Sequence, residues 1–378
     1  MTLSFLPLTV SKKALLSMSL FLLSGLAIGA PAMANPSFNH DSWQIAQAPA
    51  TTDDRLAELL RQGREQVDAG NLAEAVALYQ EAATLEPSNA RIVSAIGFLQ
   101  ARQSNYQAAV EAYQQAVALE SDNADFYYAL GYSRANLGDN AGAAEAYRQA
   151  IQLNRNNVEA RMGLGVVLAR QEDYAGAIEA YQEVLRQRPN DAQGHEFIGA
   201  AYIQQGQYEQ AVTSLRQAAQ LAPRRGSVQL NLGVALLNSG DTQAGMQALE
   251  RAAELEPRNG LIFLQIGDIY RAQGDNDAAL QQYRRAVAVQ PNLRDAHALL
   301  GQLYLEREEY VQAIVSYREV VRLEPQNADA HYNLGLALKG RRRNEEAIRS
   351  FQTALDLYQQ QNNAEGIANA EEVLDALQ

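Results

Sequence analysis

Between Gly260 and Leu293 the chain reads GLIFLQIGDIYRAQGDNDAALQQYRRAVAVQPNL. Phe263, Ile266, Gly267 and Tyr270 recur at steps of three, one and three, which places one apolar stripe on a short helix. Gly274 breaks that helix. A second segment, from about Asn276 to Val289, carries Ala279, Tyr283, Ala286 and Val289 at steps of four, three and three, and Pro291 stops it. A hairpin of two such helices cannot bury both stripes alone, so the stretch requires neighbours.

Those neighbours recur at a fixed step of 34 residues. From Gly267 the step lands on Gly63, Gly97, Gly131, Gly165, Gly199, Gly233, Gly301 and Gly335. From Ala279 it meets only Ala or, at Gly245, Gly; from Tyr283 it meets Tyr, Leu or Phe. A glycine inside a helix costs about 1 kcal/mol against alanine. Nine of them forgo roughly 9 kcal/mol, comparable with the net stability of a domain. Close approach of helices is the simplest offset: small residues at Gly267 and Ala279 admit the partner helix of the same unit, and Ala286 receives the next unit.

The period, with Ile266-Gly267, Tyr270, Ala279, Tyr283, Ala286 and Pro291, resembles the tetratricopeptide repeat (TPR) family over about four fifths of the chain. The resemblance implies an all-α fold, a right-handed α-solenoid superhelix with first helices lining a concave groove. Nine 34-residue helix-turn-helix repeats are expected over 56–361, starting at 56, 90, 124, 158, 192, 226, 260, 294 and 328. Two positions depart from the family pattern: the fourth is Phe263 here but Arg161 and Gln229 elsewhere, and the eleventh is Gln66, Gln100 and Arg134 in the first three units.

Residues 1–34 read as a signal peptide: Lys12-Lys13, an apolar run from Ala14 to Ala30, and Ala32-Met33-Ala34 as a cleavage site. About 17 residues at ~1.5 Å each fall short of a ~30 Å hydrocarbon core. Export to a periplasm or equivalent lumen is expected; an uncleaved N-terminal anchor is the alternative. Residues 35–55 read as a flexible linker holding Trp43, the only tryptophan, which either docks on the repeats or a partner or stays solvated. The first unit has Gln62 and Gln66 at normally apolar positions, as an end repeat requires. At the other end, residues 362–378 place Ile367, Ala370, Leu374 and Leu377 on one stripe with Glu371, Glu372 and Asp375 off it, a capping helix.

Composition narrows the function. Cysteine is absent, which removes disulfides, thiolate metal sites and a cysteine nucleophile. A net charge of -13 disfavours nucleic acid. Lys339 is the only lysine beyond the leader; arginine supplies the remaining positive charge, through composition bias or through its fork-shaped contacts. His195, His297 and His331 all fall at the fourth position of their units and read as core or interfacial fillers. No Asp, Glu or Cys completes a ligand set with them, so neither metal nor cofactor is expected. Phosphate loops and a nucleophile triad are absent too, so no enzyme is expected.

A surface remains. The second, fifth, ninth and twelfth positions of the first helices share a face. In units two to four the first three of these are Arg91, Ser94, Phe98; Asp125, Tyr128, Tyr132; and Glu159, Met162, Val166. Aromatic and thioether side chains beside arginine suit a peptide or protein partner, although part of the stripe packs between first helices. Lys339, Arg341, Arg342 and Arg343 form the densest basic cluster, either a solvated turn or a site for an anionic head group or acidic partner. The expected function is a noncovalent protein-binding scaffold. By family analogy it acts in assembly of an envelope or membrane complex, or as a secretion or pilus accessory factor; a self-associating homo-oligomer is the alternative.

Overall fold

The computed structural model describes residues 54–377 and divides the chain into two compact units, Met1–Ala222 and Pro223–Gln378. The expected signal peptide and nearly all of the expected linker, Trp43 included, lie outside the described residues. In the first unit ten helices follow one another: α1 (Asp54–Asp68), α2 (Leu72–Leu85), α3 (Ala90–Arg102), α4 (Tyr106–Leu119), α5 (Ala124–Leu137), α6 (Asn140–Leu153), α7 (Val158–Arg170), α8 (Tyr174–Gln187), α9 (Ala192–Gln204) and α10 (Tyr208–Leu221). The second unit has nine: α11 (Gly226–Asn238), α12 (Thr242–Leu255), α13 (Gly260–Ala272), α14 (Asn276–Val289), α15 (Arg294–Glu306), α16 (Tyr310–Leu323), α17 (Ala328–Gly340), α18 (Asn344–Gln360) and α19 (Ala364–Asp375). Within each unit every helix packs on the next, and no strand occurs among the described residues. Among the described residues the fold is all-α, an α-solenoid of helix-turn-helix repeats, five in the first unit and four in the second, where α19 follows the last.

The invariant glycine has a specific neighbour. A Cβ on Gly267 would sit 2.5 Å from the ring of Tyr283, sixteen residues on in the same repeat. The same pairing runs from Gly63 with Tyr79 to Gly335 with Phe351, with Leu215 and Leu249 opposite Gly199 and Gly233. The space expected to admit a helix is therefore filled by one large side chain, and Tyr283 is fully buried in it. Backbones also come together: a Cβ on either Gly233 of α11 or Gly245 of α12 would lie 3.1 Å from the other's carbonyl oxygen, and one on Gly260 of α13 would lie 2.9 Å from the carbonyl oxygen of Ala286 on α14.

The turn inside each repeat reverses through one left-handed residue. Gly274 has φ +83° there, and Ser104, Glu172, Glu308 and Arg342 take the same conformation at φ +60° to +63°. Glycine enters this region freely; other residues are strained by about 1–2 kcal/mol.

Both chain ends differ from expectation by a few residues. Asp54 and Arg55, expected in the linker, are helical: Asp54 lies in the first turn, where a carboxylate suits the helix dipole, and Arg55 pairs with Glu81 of α2 at 2.5 Å. At the other end the capping helix expected over 362–378 is α19, from Ala364 to Asp375; it buries Ala370 in a cluster with Tyr358 and also buries Leu374, while Glu371, Glu372 and Asp375 face solvent.

Candidate functional site

The stripe expected to bind a partner lies on α3, α5 and α7. An asparagine starts each helix. The Asn89 Oδ1 accepts from the backbone N–H groups of Arg91 and Ile92, Asn123 Oδ1 from Asp125 and Phe126, and Asn157 Oδ1 from Ala160 at 2.8 Å. These caps fix where Arg91, Asp125 and Glu159 stand in the first turn. Helix α3 touches α5, and α5 touches α7.

That contact divides the stripe. Arg91, Asp125 and Glu159 are exposed, and Ser94, Phe98, Tyr128 and Met162 are half-buried. Tyr132 and Val166 are buried, at 7% and 2% exposure, and are corrected from binding residues to packing residues. Val166 clusters with Phe197 and Ile198 of α9, the next first helix, and Tyr132 meets Tyr106 edge-on at 6.5 Å between ring centroids.

Charge is distributed unevenly over the accessible members. Glu159 is held by Arg188 at 2.8 Å. Neither Arg91 nor Asp125 has an ion-pair partner among the described residues. Tyr128 lies against Tyr147 with ring centroids 6.0 Å apart, and burial, then the charge of Glu159, pushes its hydroxyl above the usual tyrosine range. Phe98 carries the Arg102 guanidinium at 5.6 Å from its ring centroid. Arg102 was legible as an i+4 neighbour of Phe98. Tyr106 was not, because it arrives from the second helix of a different repeat.

The departures from the family pattern have local duties. Gln100 Oε1 accepts from Asn105 Nδ2 at 3.0 Å, Gln66 Oε1 from Asn71 Nδ2 at 2.8 Å, and Arg134 donates to the Gly142 carbonyl at 3.0 Å. All three fasten the turn of their own repeat. The histidines are not core fillers: each is half-buried and bonds, through Nε2, the carbonyl of the proline six residues earlier, at 3.0 Å for His195, 2.9 Å for His297 and 3.0 Å for His331. No group of three potential metal ligands occurs among the described residues. The basic cluster forms the turn between α17 and α18, with Arg341, Arg342 and Arg343 exposed and Lys339 half-buried.

Family models described as tetratricopeptide repeat match residues 128–192, 227–259 and 328–375, and one described as TPR repeat matches 101–138, 199–240, 267–306 and 301–340. No curated protein matches the chain. Among solved structures, a tetratricopeptide repeat protein from Parabacteroides merdae is 19% identical, with 67% of this chain and 100% of that chain covered at a TM-score of 0.54. A chain of the APC/C hetero-tetramer Cut9-Hcn1 is 17% identical, with 87% of this chain and 60% of that one covered at a TM-score of 0.51. At these identities the likeness is one of fold.

Proposed function

Because the chain belongs to the tetratricopeptide repeat family, we propose that it is a non-catalytic scaffold holding a protein or peptide partner on the first helices of its second to fourth repeats. The observation that carries this reading is the accessible half of the stripe. Phe98, Tyr128 and Met162 are half-buried, so they are fixed by packing yet retain open surface, and Arg91 and Asp125 flank them without internal ion pairs. Rigid aromatic anchors beside unpaired charges are the composition of a binding hot spot. The two charges have opposite sign, so the partner presents both an acidic and a basic group at this spacing.

The place of action proposed is outside the cytoplasm, in assembly of an envelope or membrane complex, supported by the leader pattern of residues 1–34. No helix among the described residues is long and apolar enough to cross a membrane. The test is capture from an envelope fraction with wild type and with Phe98→Ala plus Tyr128→Ala, after light scattering has fixed the oligomeric state. A discrete partner lost in the double variant is the expected result. Equal capture by both proteins, or an oligomer of fixed size that captures nothing, rejects the reading.

A further inference from the structure

The turn between α17 and α18 combines two features that the partner stripe does not use. The first is unpaired positive charge. Arg343 holds Glu346 at 2.5 and 2.8 Å, but Lys339, Arg341 and Arg342 have no carboxylate within ion-pair reach among the described residues. Arg342 takes φ +61°. That conformation costs an L side chain about 1–2 kcal/mol, and glycine, which relieves it, stands at five of the equivalent turns. An arginine is thus displayed at the tip of the turn at the expense of backbone comfort.

The second feature is apolar. Gly340 lies under the ring of Tyr310, the first residue of α16; a Cβ on it would be 2.3 Å from a ring carbon. The residues that follow on α16 include Val311 and Val315, one helical turn apart, 53% and 61% exposed. They are the most exposed large apolar side chains among the described residues. Equivalent positions of the other repeats hold Ala, Gln, Glu, Asp, Thr or Arg. Arg318 is engaged by Glu346 at 3.4 Å, and Glu308, Glu309 and Glu345 stand in the sequence beside these turns.

A soluble anion would use the arginines without the valines, and an apolar protein face would use the valines without the arginines. An anionic bilayer uses both, since cations meet head-group phosphates while short apolar side chains enter the interfacial layer. We propose that Lys339, Arg341, Arg342, Val311 and Val315 form a peripheral docking surface for an anionic lipid membrane. With a net charge of -13 the chain is repelled from such a membrane at long range. The contact therefore acts at short range, in concert with whatever else brings the protein to the surface.

Flotation of the full chain with vesicles of phosphatidylglycerol and phosphatidylcholine, against phosphatidylcholine alone, tests this. The expected result is flotation enhanced by the anionic lipid and reduced by added salt. Arg341→Ala with Arg342→Ala should weaken that enhancement about thirtyfold, taking roughly 1 kcal/mol per arginine. Val311→Ser with Val315→Ser should weaken binding while leaving its salt dependence in place. Circular dichroism verifies that both variants keep their helices. Equal flotation on neutral and anionic vesicles, or anionic enhancement unchanged in the arginine variant, overturns the proposal. So does capture by a polyglutamate peptide without vesicle binding.

Discussion

At the scale of single residues, glycine carries two opposite instructions in this chain. At Gly267 it is required by what faces it: the Tyr283 ring is fully buried and has nowhere to retreat from a Cβ placed 2.5 Å away. Gly267→Ala gains about 1 kcal/mol of helix propensity but overpacks the core by about 1–3 kcal/mol, so chemical denaturation should show net destabilisation. At the turn the sign reverses. Glu172 at φ +63° occupies a glycine conformation, and Glu172→Gly should raise stability by about 0.5–1 kcal/mol. Asp268 supplies a pH test. Its Oδ1 accepts from the Tyr283 hydroxyl at 2.7 Å, and burial, only partly opposed by that bond and by Arg271, pushes its carboxyl up to about 6. A carboxyl whose pKa is raised on folding stabilises the fold at low pH, and that contribution is lost as pH rises through about 6. Asp268→Asn should therefore raise the melting temperature at pH 7.5, by a stability gain on the order of 1–2 kcal/mol. At pH 4 it should have little effect.

At the scale of elements, the period of 34 made the helices legible. The second helix expected over Asn276 to Val289 is α14, with those bounds. The same period hid the partner of the invariant glycine, because the stripe pattern marks which residues are buried without saying which of them meet. It also made Gln66, Gln100 and Arg134 look like lapses, when each replaces an apolar contact with a polar clamp on its turn. Arg134 does most, reaching the Gly142 carbonyl at 3.0 Å and Asp139 at 3.7 Å. Arg134→Ala should accelerate amide hydrogen exchange at the α5–α6 turn and leave the α3–α4 turn unchanged. Acceleration spread across both repeats would show that the side chain supports the core instead. The candidate stripe was legible as far as helix periodicity reaches: it placed Phe98, Tyr128 and Met162 on one face. Burial of Tyr132 and Val166 depends on Tyr106 and Phe197, which come from other repeats, and no spacing within one helix carries that information.

At the scale of the whole molecule, the repeat accounts for nearly every feature that would suggest chemistry in another fold. The glycine recurring from Gly63 to Gly335 faces an aromatic or leucine side chain in each repeat, and three histidines tie down proline carbonyls. What the repeat does not require is the small set of accessible side chains on α3, α5 and α7. If they hold a partner, Phe98→Ala with Tyr128→Ala should abolish capture while costing the first unit only part of its stability, since Phe98 and Tyr128 are half-buried and the fully buried Tyr113 and Tyr147 remain. Loss of capture together with loss of the helical signal would point to unfolding, and the single variants would then separate the two effects.

Photocrosslinking from a benzoylphenylalanine placed at Tyr128, compared with one at exposed Glu111 on α4, decides whether the stripe on α3, α5 and α7 holds a partner. A discrete protein adduct is expected from position 128 and none from position 111. Adducts from position 111 alone, or adducts at both positions only to a second copy of this chain, would contradict it.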